Sequence, residues 1–272
     1  MKLAFSTNAF RRFSLEDSIR EIVGIGYKGV EILCDVPHAY PPNLAEHEIQ
    51  SAKNLISSCN AHISNLNAFT LYAIGDVYHP SWIEEDASQR DLRVQHTIDC
   101  LRLAKKIGAK CISTEPGGPL YSTSRSELVK LFSSGVKKAA KIAEEEDLML
   151  LVEPEPGLLL ENSHQFKDFM KDISSDHVRL NFDIGHFYCV REDPAELVHE
   201  LSDYIEHFHL ADIASTRVHN HLIPGKGSID FRSVFDAMDD IGYDGFVTVE
   251  LYPYQENPVE AASEAFNYLL NI

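Results

Sequence analysis

Residues 149–183 read MLLVEPEPGLLLENSHQFKDFMKDISSDHVRLNFD, a stretch with one apolar run at each end. The two runs, Met149–Val152 and Val178–Phe182, are rich in Leu, Val and Phe, as expected for strands that are covered on both faces. Between them, Ser163 can cap the first free backbone amides of a helix. A strand, a helix and a second strand in this order predict two parallel neighbours in one sheet.

The same alternation extends through the whole chain. Eight short apolar runs occur: Leu3–Ser6, Val30–Leu33, Ile63–Leu66, Cys111–Ser113, Met149–Val152, Val178–Phe182, Ile205–Phe208 and Phe246–Val249. Helical patterns lie between them, among them Leu92–Ile107 and Glu127–Glu145. Helix starts are predicted at Ser14 and Ser124, and helix ends at Gly26, Gly108 and Gly242.

Eight strand–helix units close naturally into a barrel, and the length of 272 residues fits a barrel without large insertions. We therefore predict an α/β fold, a single (β/α)8 or TIM barrel spanning residues 1–272. The alternative is a doubly wound open sheet. That fold usually carries a glycine-rich turn after its first strand, where this chain has Thr7-Asn8-Ala9-Phe10.

The composition indicates which binding partners and which cellular compartment to expect. The formal net charge is −18, and an acidic surface disfavours nucleic acid and membrane as partners. The five cysteines form no C-x-x-C pair, which is typical of reduced thiols in a cytoplasmic protein. The N-terminal apolar stretch is too short for a signal peptide, and no apolar run approaches the ~20 residues needed to span a bilayer. We predict a cytoplasmic location.

Four consecutive strands each end at a carboxylate or an imidazole. Strand five ends at Glu153, strand six at Asp183, strand seven at His209 and strand eight at Glu250. Parallel strands in a barrel bring these positions to one mouth. Three carboxylates there repel one another unless a positive charge lies among them. The set predicts a site for Mn²⁺, Mg²⁺ or Co²⁺, with Zn²⁺ as an alternative. A polar rim that holds no metal stays open.

Several motifs in the second half of the chain resemble one known superfamily. They are Asp183-Ile-Gly-His186, His207-Phe-His-Leu-Ala-Asp212, Pro224-Gly-Lys-Gly-Ser-Ile-Asp-Phe231 and Gly242-Tyr-Asp-Gly-Phe-Val-Thr-Val-Glu250, joined by Gly29-Val-Glu-Ile32 nearer the N-terminus. The chain resembles the xylose isomerase-like TIM barrels over essentially its whole length. That superfamily holds sugar and sugar-phosphate isomerases, ketose 3-epimerases, inosose dehydratase and endonuclease IV.

The resemblance implies roles for the four strand-end residues. It implies that Glu153, Asp183, His209 and Glu250 bind the metal, and that Glu153 and Glu250 also exchange protons with substrate carbon from opposite faces. This chemistry is physically sound, because a cation bound to a carbonyl and its neighbouring hydroxyl acidifies the C–H between them. His186 is implied to hydrogen-bond a substrate oxygen.

Further residues are predicted around this centre. Arg217 is a candidate clamp for a substrate hydroxyl, carboxylate or phosphate. His219 and His221 align with an Asp-x-His pair that binds extra zinc in endonuclease IV, whereas the earlier histidine ligands of that enzyme are replaced by Asn67 and Glu115. We predict His221, Asn67 and Glu115 as substrate-binding candidates.

Three nearby residues receive other roles. His207 is expected inside the barrel as a structural residue, and Asp212 is expected to orient His209 or a loop amide. Glu155 lies too close to Glu153 to match the additional glutamate of ketose 3-epimerases.

The leading hypothesis is a metal-dependent isomerase or epimerase that acts on a small carbohydrate, either a sugar or a sugar phosphate, through an enediolate. Three alternatives stay open. They are a dehydratase of the inosose or dehydroshikimate kind, an endonuclease IV-like phosphodiesterase, and a sugar-binding relative without turnover. Members of the superfamily are commonly dimers or tetramers, so the resemblance also allows a homo-oligomer.

Overall fold

The computed structural model describes residues 2–272, which form eight parallel strands in a closed barrel. The strands are β1 (Lys2–Ser6), β2 (Gly29–Leu33), β3 (His62–Asn67), β4 (Cys111–Thr114), β5 (Met149–Val152), β6 (Val178–Asp183), β7 (Ile205–Leu210) and β8 (Phe246–Val249). Each strand pairs with the next, and β1 pairs with β8 to close the ring. The predicted TIM barrel is confirmed, and the open-sheet alternative is excluded.

At least one helix follows every strand. The helices are α1 (Leu15–Ile25), α2 (Glu46–Ser58), α3 (Ala87–Ile107), α4 (Arg125–Glu146), α5 (Ser163–Met170), α6 (Ile184–Cys189), α7 (Pro194–Glu200), α8 (Phe231–Asp240) and α9 (Pro258–Leu269). A membrane-spanning helix is not found among residues 2–272, because none has a sufficiently long apolar stretch. The five cysteines are free thiols, and Cys34, Cys100 and Cys111 are buried.

Helix caps agree with the sequence in part. Ser14 caps α1 through its side chain, which accepts the N–H of Asp17. Ser124 precedes α4, but its hydroxyl contacts Glu127 instead of a backbone amide. The predicted cap at Ser163 is wrong by one residue. Asn162 caps α5, and its longer side chain accepts the N–H of Gln165.

The interior of the barrel is polar, whereas the shell between strands and helices is apolar. Inside the barrel, Asn65 donates to Glu31 and to Ser113, and His207 lies 2.9 Å from the Thr248 hydroxyl. The strand register shifts just before Glu31 and just before Asn181. Such bulges re-aim the side chains beside them. These polar groups are buried and hydrogen-bonded, so the barrel core supports the site at its mouth.

Two buried histidines outside that site make the protein sensitive to acid. Burial lowers the pKa of His38 to about 4 and, together with Arg93, lowers the pKa of His96 to about 3. In the unfolded chain the histidine pKa is about 6.5, so below that pH only the unfolded state takes up these protons. The contribution of these two neutral histidines to the free energy of unfolding is therefore fully present above pH 6.5, and it is lost as the pH drops.

We expect the free energy of unfolding to fall by up to about 1.4 kcal/mol per pH unit for each of these histidines between pH 6.5 and 4.5. His96→Leu should remove one such contribution, which urea unfolding at several pH values would measure. His47→Gln, at an exposed histidine of α2, serves as the control. An unchanged pH slope in His96→Leu would contradict the assignment.

Candidate metal centre and substrate cavity

The barrel brings the four predicted strand-end residues together at its mouth. Glu153 directly follows β5, Asp183 ends β6, His209 lies on β7 and Glu250 directly follows β8. Each offers one ligand atom, and all four atoms lie within 4.8 Å of one another. All four side chains are buried. This is the juxtaposition that the strand ends predict.

The residues present fit a divalent cation. Three carboxylates and one imidazole form a hard, oxygen-rich donor set that suits Mn²⁺, Mg²⁺ or Co²⁺ and is compatible with Zn²⁺. The Asp183 Oδ2 atom is buried and has no hydrogen-bond partner, whereas Oδ1 accepts the backbone N–H of His186. A buried carboxylate oxygen without a partner is costly, and a bound cation would satisfy it.

Burial and mutual repulsion perturb the ionisation of this cluster. Burial, and then the charges of Glu153, Glu31 and Asp183, raise the pKa of Glu250 to about 8, although His209 opposes the shift. Burial would lower the pKa of His209, but Glu153, Glu31 and Glu250 raise it well above its ordinary value. The cluster therefore holds excess negative charge that favours a positive partner.

Glu31, on β2, contacts the imidazole of His209 from the side away from Glu153. The Glu31 Oε2 atom lies 2.6 Å from His209 Nε2, and the Glu153 Oε1 atom lies 2.9 Å from His209 Nδ1. Burial opposes ionisation of Glu31, but His209 lowers its pKa to about 2. A carboxylate that holds one imidazole nitrogen leaves the other free to bind a cation, an arrangement common at metal sites.

We expect Glu31→Gln to weaken Mn²⁺ binding by about 10- to 100-fold, the usual cost of losing a carboxylate behind a histidine ligand. Gln can accept one hydrogen bond but supplies no negative charge to His209. Isothermal titration calorimetry on the folded variant would measure the affinity. Glu206→Gln, at an exposed carboxylate of β7, is the matched control. An affinity equal to that of the wild type would refute this role.

Asparagine side chains hold the two glutamates that are predicted to move protons. Asn8 and Asn67 donate to Glu250 Oε1 at 2.8 and 3.1 Å, and Asn181 donates to Glu153 Oε2 at 2.8 Å. Asn67 also donates to Glu31 at 3.1 Å. In each glutamate, these bonds fix one carboxylate oxygen. Asn67 thus orients Glu250 and at the same time lines the cavity above it.

A cavity of about 270 Å³ opens above the centre. Of the four clustered residues, Glu153 and Glu250 line it, while Asp183 and His209 do not. Aromatic rings, among them Tyr72 and Tyr252, form part of its wall. A small polar molecule fits a cavity of this volume.

Three histidines form a second cluster beside the first. The Nε2 atom of His221 lies 3.4 Å from that of His186 and 3.3 Å from that of His219. Backbone carbonyls of Pro154 and Glu250 accept from Nδ1 of His186 and His221, both at 2.9 Å. Burial lowers the pKa of His221 to about 4, so its Nε2 atom carries a lone pair that can accept a proton or bind a metal. Burial would also lower the pKa of His186, but Asp183, Glu155 and Glu153 raise it, which favours a proton on its Nε2 atom. His186 lines the cavity, whereas His221 lies behind it.

A family comparison explains this architecture. The sequence model described as "Xylose isomerase-like TIM barrel" matches residues 19–272. The chain belongs to this family. The resemblance predicted from the strand-end motifs is thus confirmed.

Proteins that are similar in sequence to this chain include enzymes of different kinds. A fructoselysine 3-epimerase from Shigella flexneri is 25% identical over 279 aligned positions, covering 99% of this chain and 98% of that protein. An inosose dehydratase from Clostridium perfringens is 27% identical over 158 residues, 52% of this chain and about half (53%) of that protein. The structure of IolI protein "with a binding zinc atom" superposes with a TM-score of 0.80 at 19% identity, covering 100% of this chain and 97% of that one. The structural likeness shows the shared fold.

Three predicted substrate contacts of this xylose isomerase-like barrel do not line the cavity: His221, which lies behind it, Arg217 and Glu115. The Arg217 guanidinium stacks 3.9 Å from the centre of the Tyr188 ring and donates to the Tyr188 carbonyl. The Glu115 carboxylate is fully buried, lies 3.9 Å from Arg93 and accepts the backbone N–H groups of Trp82 and Gly117. Arg217 thus covers a neighbouring helix, and Glu115 holds loop backbone. The structure does not bring them to the centre.

Other residues take positions near those expected. His207 is buried inside the barrel, as predicted. Asp212 accepts hydrogen bonds from the backbone N–H groups of Gly225, Gly227 and Ile229. It therefore orders the loop after β7 and does not orient His209. Glu155 lines the cavity and accepts the Tyr78 hydroxyl at 2.9 Å. Burial raises the pKa of Glu155 to about 7.

Proposed function

We propose that this protein is a divalent-metal-dependent isomerase or epimerase that acts on a small carbohydrate through an enediolate. One observation carries the proposal. Of the four clustered side chains, only Glu153 and Glu250 face the cavity as well as the centre, and the other two lie behind them. Pure binding does not require two carboxylates placed in this way. The full-length similarity to a 3-epimerase agrees with it.

Glu153, Asp183, His209 and Glu250 would hold the cation, for which we propose Mn²⁺, Mg²⁺ or Co²⁺. When bound, such a cation supplies electrostatic stabilisation to negative charge on substrate oxygens. Glu153 or Glu250 then accepts the proton from the substrate carbon that it faces, and the other carboxylate returns a proton. Asn181, Asn8 and Asn67 keep the two carboxylates in place during the transfer.

The perturbed acidity of Glu250 suits this task. In the metal-free protein burial raises the pKa of Glu250 to about 8, and a bound cation would lower it toward the range in which a carboxyl both accepts and returns a proton near neutral pH. His186 lines the same cavity, and its Nε2 atom can hydrogen-bond a substrate oxygen. Asp183 and His209 would thus hold the cation, Glu153 and Glu250 would hold it and also move the proton, and His186 would orient the substrate.

Deuterium exchange tests this proposal. The Mn²⁺-loaded protein would be incubated in heavy water with a panel of ketoses, polyol-ketones and their phosphates. Incorporation at a carbon next to the carbonyl, followed by a new sugar isomer or epimer, is the expected result. A panel without exchange in any member would refute enolisation.

A dehydratase is the second candidate, because a third carboxyl faces the cavity. Glu155 is buried, its pKa is raised to about 7, and it can donate a proton to a leaving hydroxyl. Similarity to inosose dehydratases supports this reading over about half of their length. The same incubation separates the two reactions, since a dehydratase gives a product that has lost water.

A further inference from the structure

An arginine on the cavity wall has no hydrogen-bond or ion-pair partner among residues 2–272. Arg11 lies on the loop after β1 and lines the same cavity as Glu153 and Glu250. Its guanidinium carbon lies 4.1 Å from the centre of the Tyr72 ring. Tyr72 is itself held in place, because its backbone N–H donates to the buried Asp35 carboxylate. The stacking therefore positions the guanidinium group on the wall.

The hydrogen-bonding capacity of Arg11 is unused among residues 2–272. Its side chain forms no ion pair and donates no hydrogen bond to any described residue, and its Nε atom is buried without a partner. Neighbouring Arg12 differs, because it is exposed and pairs with Glu256. A buried guanidinium N–H without an acceptor is costly, so the missing acceptor is expected from a ligand.

Among the residues that the structure describes, Arg11 is also the only lysine or arginine that lines the cavity. The other titratable side chains on the wall are glutamates, histidines and tyrosines, among them Glu153, Glu155, Glu250, His186 and His219. A guanidinium offers a planar fork of donors that matches a carboxylate or a phosphate. The guanidinium group of Arg11 is thus the point on this wall where a carboxylate or a phosphate meets an unpaired fork of donors.

We propose that the substrate carries an anionic group, a carboxylate or a phosphate, and that Arg11 binds this group. The inference rests on the proposed function, because it places the substrate in the cavity above the metal centre. The anionic end lies on the Arg11 wall, and the carbons that exchange protons lie beside Glu153 and Glu250. Arg11 then determines substrate specificity without taking part in proton transfer.

Three matched probes test this proposal. D-fructose, D-fructose 6-phosphate and D-fructuronate share one carbon skeleton and differ at C6, which carries a hydroxyl, a phosphate or a carboxylate. D-tagatose, its 6-phosphate and D-tagaturonate repeat the series in a second configuration. Affinity for the Mn²⁺-loaded protein would be measured by calorimetry, and deuterium incorporation would be followed in parallel.

The wild-type protein is expected to prefer one anionic probe over its neutral counterpart. Arg11→Gln should weaken binding of that anionic probe by about 10- to 100-fold, the range for losing hydrogen bonds to a charged group, and should weaken binding of the neutral sugar much less. Arg11→Lys should recover part of the loss. Arg12→Gln is the matched control and should behave like the wild type. The probe whose binding is weakened shows whether Arg11 binds a carboxylate or a phosphate.

Two results would overturn the proposal: neutral and anionic probes binding the wild-type protein equally, or Arg11→Gln leaving the ratio of their affinities unchanged. Its failure is distinguishable from failure of the proposed function. Exchange that persists with an unchanged ratio removes only the role of Arg11. Binding that depends on Arg11 without exchange removes only the enolisation chemistry.

Discussion

Glu250→Gln is expected to reduce deuterium exchange at the substrate carbon by about 1,000-fold or more, because general acid–base catalysis by one side chain contributes up to about 10⁴-fold. The replacement is nearly isosteric. Its Oε1 can still accept from Asn8 and Asn67, but the amide cannot take up a proton from carbon. Loss of one negative ligand would weaken the centre further. Exchange would be measured at saturating Mn²⁺ to separate these two effects.

The variant should remain folded. Because burial raises the pKa of Glu250 to about 8, ionising this carboxyl costs stability as the pH rises from its unfolded value through 8. Gln removes that cost, so the metal-free variant should melt at least as high as the wild type at pH 8. Glu256→Gln, at an exposed carboxylate, is the control. Exchange at the wild-type rate in a folded Glu250→Gln protein would refute the proton-transfer role.

Asp183→Asn is expected to abolish stabilisation by metal. Asn keeps the oxygen that accepts the His186 N–H, so the start of α6 is preserved. It loses the charge on the oxygen that is buried without a partner. We expect Mn²⁺ affinity to fall by at least about 100-fold, more than is typical of a residue that only orients a ligand.

Thermal unfolding with and without Mn²⁺ measures this effect. A ligand present at 100 times its dissociation constant stabilises a protein by about 2.7 kcal/mol. Wild-type protein should therefore show a clear metal-dependent rise in melting temperature, and Asp183→Asn should show almost none at the same concentration. Asp176→Asn, at a fully exposed side chain, should respond like the wild type. An equal rise in Asp183→Asn would exclude Asp183 as a ligand.

The barrel and its centre are predictable from sequence for the same physical reason. Strands that are covered on both faces appear as apolar runs, and their polar ends fall on one rim once the strands are parallel. That Glu153, Asp183, His209 and Glu250 meet at one mouth of the barrel could therefore be predicted without side-chain coordinates. Helix boundaries such as Asn162 differ from prediction by a residue, because neighbouring Asn and Ser can both cap.

The surrounding residues are harder to predict, since their role depends on which way a side chain points. Glu31 lies within an apolar run, and the pairing of β2 with β3 shifts beside it, because Ser64 is an extra residue in β3. The sequence feature that could have identified Glu31 is a charged residue inside a strand that is otherwise apolar and buried on both faces. Arg217 and Arg11 both lie in loops after strands, yet one stacks on Tyr188 and the other faces the cavity. Loop geometry, which sequence spacing does not encode, decides between them.

The position of a bound cation shows whether the four strand-end residues form a metal site. Crystals of the protein grown with Mn²⁺ would be measured for anomalous scattering near the manganese absorption edge. We expect a single strong peak among Glu153, Asp183, His209 and Glu250. An empty centre, or a peak held by His186, His219 and His221 alone, would contradict it.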